Sequence, residues 1–215
     1  MFKDRKDAGE RLARSLEKYK GKDAIILAIP RGGVEVGFEA AKYLNLDFSI
    51  LISRKLPFPD NPEAGFGAAA EDGSIFVFEH AKRWLTAEDI ERIIDEQKKE
   101  IKRRVAVLRK NETVPGIKGR TVILVDDGIA MGSTMRAAIM FCKNRSAGRI
   151  VVAVPVSAQQ AEDEFRALAD EVVILEKPPF FSAVAQVYKN WYDVADEEVI
   201  EIMDKVKGHK VKGIK

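Results

Sequence analysis

The chain has 215 residues, 46% of them apolar, and 36 basic against 34 acidic residues leave a formal charge of only +2. That length and apolar content can build one sizeable core, while the near-neutral balance argues against a nucleic-acid surface, which needs a clustered basic excess. One cysteine, Cys142, and two distant histidines, His80 and His209, set aside an intrachain disulfide, a Cys-rich metal site, a zinc site and a His-based triad, and place both histidines on the solvated surface.

No apolar stretch opens the chain, and none nears about 18 uninterrupted residues, so a soluble, cytoplasmic protein without membrane contact is expected. Apolar runs of strand length alternate with segments of helical period. A first helix is predicted over 4–20, with Leu12, Leu16 and Tyr19 on one stripe and Gly21 ending it. The short apolar run 24–29 is a strand buried on both faces. A helix at 34–44 and a strand at 48–52 follow. Residues 53–73 are rich in Pro, Gly and Asn, which predicts a mobile functional loop or a small hairpin, with 75–78 as one of its strands. Thr86 and Asp89 have capping-box spacing and open a helix whose buried face carries Ile90, Ile93, Ile94, Ile101, Val105 and Leu108. Strand 121–125, loop 126–133, helix 134–142, strand 150–154, helix 158–168 and strand 171–175 come next. Two short helices near 183–188 and 197–206 precede a Lys/Gly tail expected to fray.

This alternation predicts one α/β domain over 1–215: a parallel sheet of about five strands flanked by helices, with right-handed crossovers. Its core covers about 22–176, with a flexible loop or hairpin at about 53–80 and a small C-terminal cap at about 177–207. Ligands of such sheets sit at the carboxyl ends of the strands.

The segment after the strand at 121–125 is the most informative. Asp126 and Asp127 can accept hydrogen bonds from a cis-diol, or hold a divalent cation through water. Gly128, Ala130 and Gly132 let the backbone approach a ligand, and the amides of Ile129, Ala130, Met131, Gly132, Ser133 and Thr134 would face an anion at a helix N-terminus. A diol site beside a phosphate site describes a ribose 5-phosphate. The same residues also suit a sharp strand-to-helix turn capped by its Asp pair. After the first strand, Gly32 and Gly33 allow unusual backbone angles that aim amides at an anion, and Arg31 can fork onto its oxygens. A plain turn with an exposed Arg fits there as well. Arg54 and Lys55 at the end of the second strand suit a pyrophosphate leaving group or an ordinary basic surface.

Four apolar residues, two acids and a small-residue run ending in Gly132-Ser133-Thr134 resemble the signature of type I phosphoribosyltransferases, which bind 5-phosphoribosyl-1-pyrophosphate (PRPP). The resemblance implies that fold over about 24–175, with Asp126 and Asp127 on the ribose hydroxyls and 130–134 on the 5-phosphate. It implies a pyrophosphate loop at Arg31, Gly32 and Gly33, and a closing loop near 61–67 to which Glu63 contributes orientation. Met131 departs from the pattern: the family often has Thr there, and a thioether donates no hydrogen bond to phosphate.

The resemblance further implies a transferase moving the phosphoribosyl group to a nitrogen acceptor, with Asp126, Asp127, Arg31 and Lys55 as its catalytic groups and Asp127 as a candidate base. Mg2+ bound through PRPP and water would offset the pyrophosphate charge. Phe180, Phe181, Tyr188, Trp191 and Tyr192 form either an acceptor pocket or the core under the terminal helices. A non-catalytic PRPP or nucleotide sensor is the alternative. A dinucleotide-dependent dehydrogenase fits poorly, because the glycines from Gly32 to Gly37 have the wrong spacing. A homodimer is expected as the commonest assembly.

Overall fold

The computed structural model describes residues 1–210, without the side chains of Glu63, Lys82 and 207–210. The expected frayed tail, the surface position of His209 and the orienting role of Glu63 lie outside the described residues. In chain order the elements are α1 (Arg5–Ser15), β1 (Ala24–Ala28), α2 (Gly32–Leu44), β2 (Asp47–Ile50), β3 (Ser53–Phe58), β4 (Asn61–Ala70), β5 (Ile75–Val77), α3 (Ala87–Arg109) and β6 (Thr121–Val125). Then come α4 (Ser133–Asn144), β7 (Arg149–Val156), α5 (Ala161–Arg166), β8 (Glu171–Glu176) and α6 (Asp196–Lys210).

Five strands form a parallel sheet in the order β2-β1-β6-β7-β8. The middles of its strands are apolar because both faces are covered, as alternate residues of β1 make plain. Ile26 and Ala28 pack with Leu12 of α1, Val36 of α2 and Val199 of α6, whereas Ile25 and Leu27 pack with Met135 and Phe141 of α4. No described helix is long and apolar enough to cross a membrane.

The strand order reverses between neighbours β1 and β6: the chain leaves β1 towards β2 and leaves β6 towards β7. The loops after these two strands therefore diverge to opposite faces and leave a crevice at their carboxyl ends.

Several expectations change in the structure. Helix α1 stops at Ser15 and a tighter turn, Glu17–Tyr19, takes over. Three-residue periodicity superposes i and i+3, which lets Leu16 and Tyr19 both bury. Helix α2 starts at Gly32, two residues early, and neither Gly32 nor Gly33 is among the glycines with positive φ. Their unusual-angle role is thus corrected: they are helical, and what they contribute is a missing Cβ. Of the two readings of segment 53–77, the hairpin holds and extends to a three-stranded antiparallel sheet, β3-β4-β5, touching α3 and α4. Its Gly and Ala content permits close approach; a Cβ on Gly67 would lie 2.2 Å from the Phe76 carbonyl oxygen. Helix α5 is shorter than predicted, and the Ala158 amide ahead of it donates to the Ile129 carbonyl at 3.3 Å. His80 stacks on Phe78 with ring centroids 5.2 Å apart, and Cys142 is buried, which pushes its thiol up to about 12 and leaves it inert.

Candidate active site at the reversal of strand order

Strand β6 is buried along Val122, Ile123, Leu124 and Val125, and it delivers Asp126 and Asp127 to the crevice. The turn after β1 is clamped beside them by the Ile29 amide donating to the Val125 carbonyl at 2.8 Å. A Cβ on Gly33 would lie 2.8 Å from the Asp126 Cα, and one on Gly32 would lie 1.8 Å from Asp127 Oδ2. Only glycine lets the two loops meet this closely.

The two carboxylates part company. Asp126 lines a cavity of about 260 Å3 with Lys55, Gly65, Val184 and the loop 128–134. Asp127 instead accepts from Arg5 Nε at 2.9 Å through Oδ2, and its carbonyl accepts from the Tyr188 hydroxyl at 2.7 Å. The Asp127 amide donates to Asp126 Oδ1 at 2.8 Å. Burial pushes both carboxyls up. Asp126 rises well above the ordinary range because the charge of Asp127 adds to its burial, while Arg5 restrains the rise at Asp127.

Within the loop, the Ile129 amide is not available to an anion, since it donates to the Val156 carbonyl at 2.9 Å. The loop hydrogen-bonds there to the end of β7, which corrects its expected phosphate role. Beyond it, Gly132 (φ 74°) is the N-cap of α4 and offers no side-chain cap. The first helical amides, including those of Ser133 and Thr134, therefore have no intrahelical acceptor. Ala130, Met131, Gly132, Ser133 and Thr134 all line the cavity, and the Met131 side chain is 53% exposed.

Of the expected pyrophosphate residues, Lys55 lines this cavity and Arg31, Gly32, Gly33 and Arg54 do not. Side chains alternate along a strand, so Lys55 faces the cavity while Arg54 turns to α3, where its Nε donates to Gln97 Oε1 at 3.1 Å. Burial, with Arg104 nearby, holds Arg54 below its ordinary range. Arg31 is the N-cap of α2 and reaches Asp196 Oδ1 at 3.6 Å.

The C-terminal aromatics also divide. Trp191 and Tyr192 stack on Arg5, with its guanidinium carbon 4.0 and 5.4 Å from their ring centroids. The Tyr192 hydroxyl donates to Glu35 Oε1 at 2.8 Å. Phe181 joins the small cluster of Phe2 and Tyr188. Phe180, 86% exposed, borders a second cavity of about 590 Å3 with Gln159, Gln160, Pro178, Phe181 and Gln186.

Arg5 and Glu35 were not anticipated. The signal for Arg5 was available: it falls on the helical stripe of Leu12 and Leu16, where a charge is out of place unless it has a buried partner. Among the described residues, no cluster of three or more His, Cys, Asp or Glu could hold a metal.

Comparison with known proteins identifies the family. The family model "Phosphoribosyl transferase domain" matches residues 2–190. The solved structure of TT1426 from Thermus thermophilus is 36% identical, with a TM-score of 0.80 over 95% of this chain and 98% of that one. Proteins of two Mycobacterium tuberculosis strains, CDC 1551 and H37Rv, named provisionally as phosphoribosyl transferases, are 38% identical over 207 residues, 95% of this chain and 47% of theirs. The chain spans about half the length of these curated relatives. With a matching family model over most of its length and a parallel sheet whose Asp126 loop opens on the crevice, the chain belongs to the phosphoribosyl transferase domain family.

Proposed function

We propose that the protein transfers the 5-phosphoribosyl group of PRPP to a nitrogen acceptor and releases pyrophosphate. The observation that carries this reading is Asp126 facing a cavity whose far wall is the uncapped N-terminus of α4. A carboxylate is an acceptor for ribose hydroxyls, and a helix N-terminus is a donor array with a favourable dipole for a phosphate dianion. The two lie one loop apart, as the two ends of a ribose 5-phosphate require.

In the reaction the acceptor nitrogen bonds C1 as the bond from C1 to pyrophosphate oxygen breaks, the electron pair leaves with pyrophosphate, and the acceptor nitrogen's proton passes to water. The transition state resembles an oxocarbenium ion, so positioning and charge stabilisation carry the catalysis. Asp126 holds the ring and faces the developing positive charge. Lys55, on the cavity wall, neutralises the leaving group, and Arg31 at the mouth of the β1–α2 turn assists from a salt bridge it must leave. Asp127, engaged by Arg5, is badly placed to act as the base. One cavity carboxylate fits a Mg2+ that arrives on the substrate, since such ions keep most of their shell from water and phosphate oxygens. When bound, Mg2+ would offset pyrophosphate charge.

The cavity beside Phe180 suits the acceptor. Ser182 and Gln186 border it on either side of Val184, which itself lines the ribose cavity, and no ionisable side chain lines it. A neutral heterocycle such as a nucleobase fits that lining.

The test is calorimetric titration with PRPP of the chain carrying Asp126→Asn and Asp127→Asn together: binding should vanish, and unchanged affinity would refute the assignment. Pyrophosphate release, screened over nucleobases with magnesium, then separates a transferase from a protein that only senses PRPP.

A further inference from the structure

Arg5 is the first residue of α1, only 3% exposed, and its guanidinium is engaged through Nε, Nη1 and its face. Nε donates to Asp127 Oδ2 at 2.9 Å, Nη1 donates to the Tyr192 carbonyl at 2.9 Å, and Trp191 covers its face at 4.0 Å. Nη1 also lies 3.6 Å from Glu35 Oε2, an oxygen with no hydrogen-bond partner. A buried guanidinium is strongly unfavourable unless paired in good geometry. Here the pair sits directly under the β1–α2 turn, since a Cβ on Gly32 would meet both Asp127 Oδ2 (1.8 Å) and Arg5 Nε (2.8 Å).

Asp127 is tied at three points: its carboxylate by Arg5, its carbonyl by Tyr188 and its amide by Asp126 Oδ1. The last tie orients the carboxylate that faces the cavity. A continuous path of hydrogen bonds thus runs from Arg5 through Asp127 to Asp126, with steps of 2.9 and 2.8 Å. Its anchor comes from a helix that precedes the sheet, and its cover comes from the segment after the short helical turn Val184–Val187.

We propose that Arg5 is a positioning residue for the ribose site, holding Asp127 so that the Asp127 amide aims the Asp126 carboxylate into the cavity. The proposal rests on the ribose reading of that cavity. Among the described residues, Glu35 is the one other carboxylate in a salt bridge with Arg5, and its unpartnered oxygen marks where the guanidinium would turn if Asp127 let go.

The experiment is a double-mutant cycle in the full chain with Arg5→Gln, Asp127→Asn and both together, plus Arg5→Lys, each titrated with ribose 5-phosphate in a calorimeter and melted thermally. Arg5→Gln should weaken binding roughly tenfold or more, the scale on which a mispositioned group acts. Arg5→Lys, which keeps the cation but loses the fork, should recover part of that loss. The double variant should bind no worse than the weaker single one, because both act through one path. Wild-type affinity in Arg5→Gln, or losses that add in the double variant, would overturn the proposal and leave the ribose reading standing. Should Arg5→Gln fail to fold, Arg5→Lys decides alone: a folded variant with unchanged affinity overturns the proposal, and one with severalfold weaker binding supports it. A wild-type chain that binds neither ribose 5-phosphate nor PRPP would instead remove the ribose reading, and this inference with it.

Discussion

The two edges of the five-stranded sheet handle their polar groups in opposite ways. At the amino edge the charges are closed on one another. Glu171 accepts from Lys18 Nζ (2.8 Å), the Tyr19 hydroxyl (2.7 Å) and Arg149 Nη2 (3.2 Å), and Arg120 joins Asp23 (2.7 Å) to Asp47 (2.9 Å). At the carboxyl edge, partners are withheld. Helices α2, α4 and α5, each following a strand of this sheet, open without a side-chain cap, whereas α1 and α3 are capped by Asp4 and Thr86. Asp126 faces a cavity with its charge disfavoured. Folded chains satisfy nearly all their buried polar groups, and the edge that leaves helix donors uncapped and a carboxylate on a cavity is the one proposed above to take a ligand.

The sharpest way to break this contrast is Asp126→Asn. It should cut ribose 5-phosphate affinity by roughly 10- to 100-fold, the worth of a hydrogen bond to a charged acceptor. The melting midpoint should hold or rise, because burial and Asp127 already oppose this charge in the fold. A variant that melts lower yet binds as before would place Asp126 with the amino-edge groups. Next in size is Gly33→Ala. Its methyl would press on the Asp126 backbone at 2.8 Å, so a cost of about 1–3 kcal/mol in denaturant unfolding should accompany weakened binding.

A smaller effect in the opposite direction is expected from Met131→Thr. The exposed thioether at the cavity becomes a hydroxyl donor, which should tighten phosphate binding by roughly 2- to 10-fold in the same titration. The smallest effect belongs to the amino edge. Glu171→Gln should lower stability at neutral pH by about 1 kcal/mol or less and leave ligand affinity untouched. Burial alone would raise the Glu171 carboxyl, but hydrogen bonds from Lys18, Tyr19 and Arg149 outweigh it and hold the group below the ordinary 4.5. Its ionised form therefore stabilises the fold above that value and ceases to do so as acid protonates it. The gap between variant and wild type in denaturant midpoints should close as pH falls below 4.5; a gap that persists in acid would assign it to packing.

The strand at Thr121–Val125 was legible to the residue, because a short apolar run followed by Asp-Asp-Gly has few other readings. The run of small residues at 61–70 left loop and hairpin both open. Gly and Ala there belong to strands packed too closely for larger side chains, and composition does not separate close packing from a loop. Arg54 and Lys55 were read as one basic pair at the end of a strand, yet β3 continues through them and sends them to opposite faces. Arg5 stood on an apolar stripe where its charge could have been questioned, but nothing local named its partner.

By itself the sequence determined the alternation of strands and helices, the two loops at the ends of β1 and β6, and the chemistry those loops can offer, since each depends on periodicity and on residues adjacent in the chain. Only the tertiary structure decided which carboxylate faces the cavity. Asp127 is claimed by an arginine 122 positions away. Burial makes that pairing compulsory, and only packing brings the partners together.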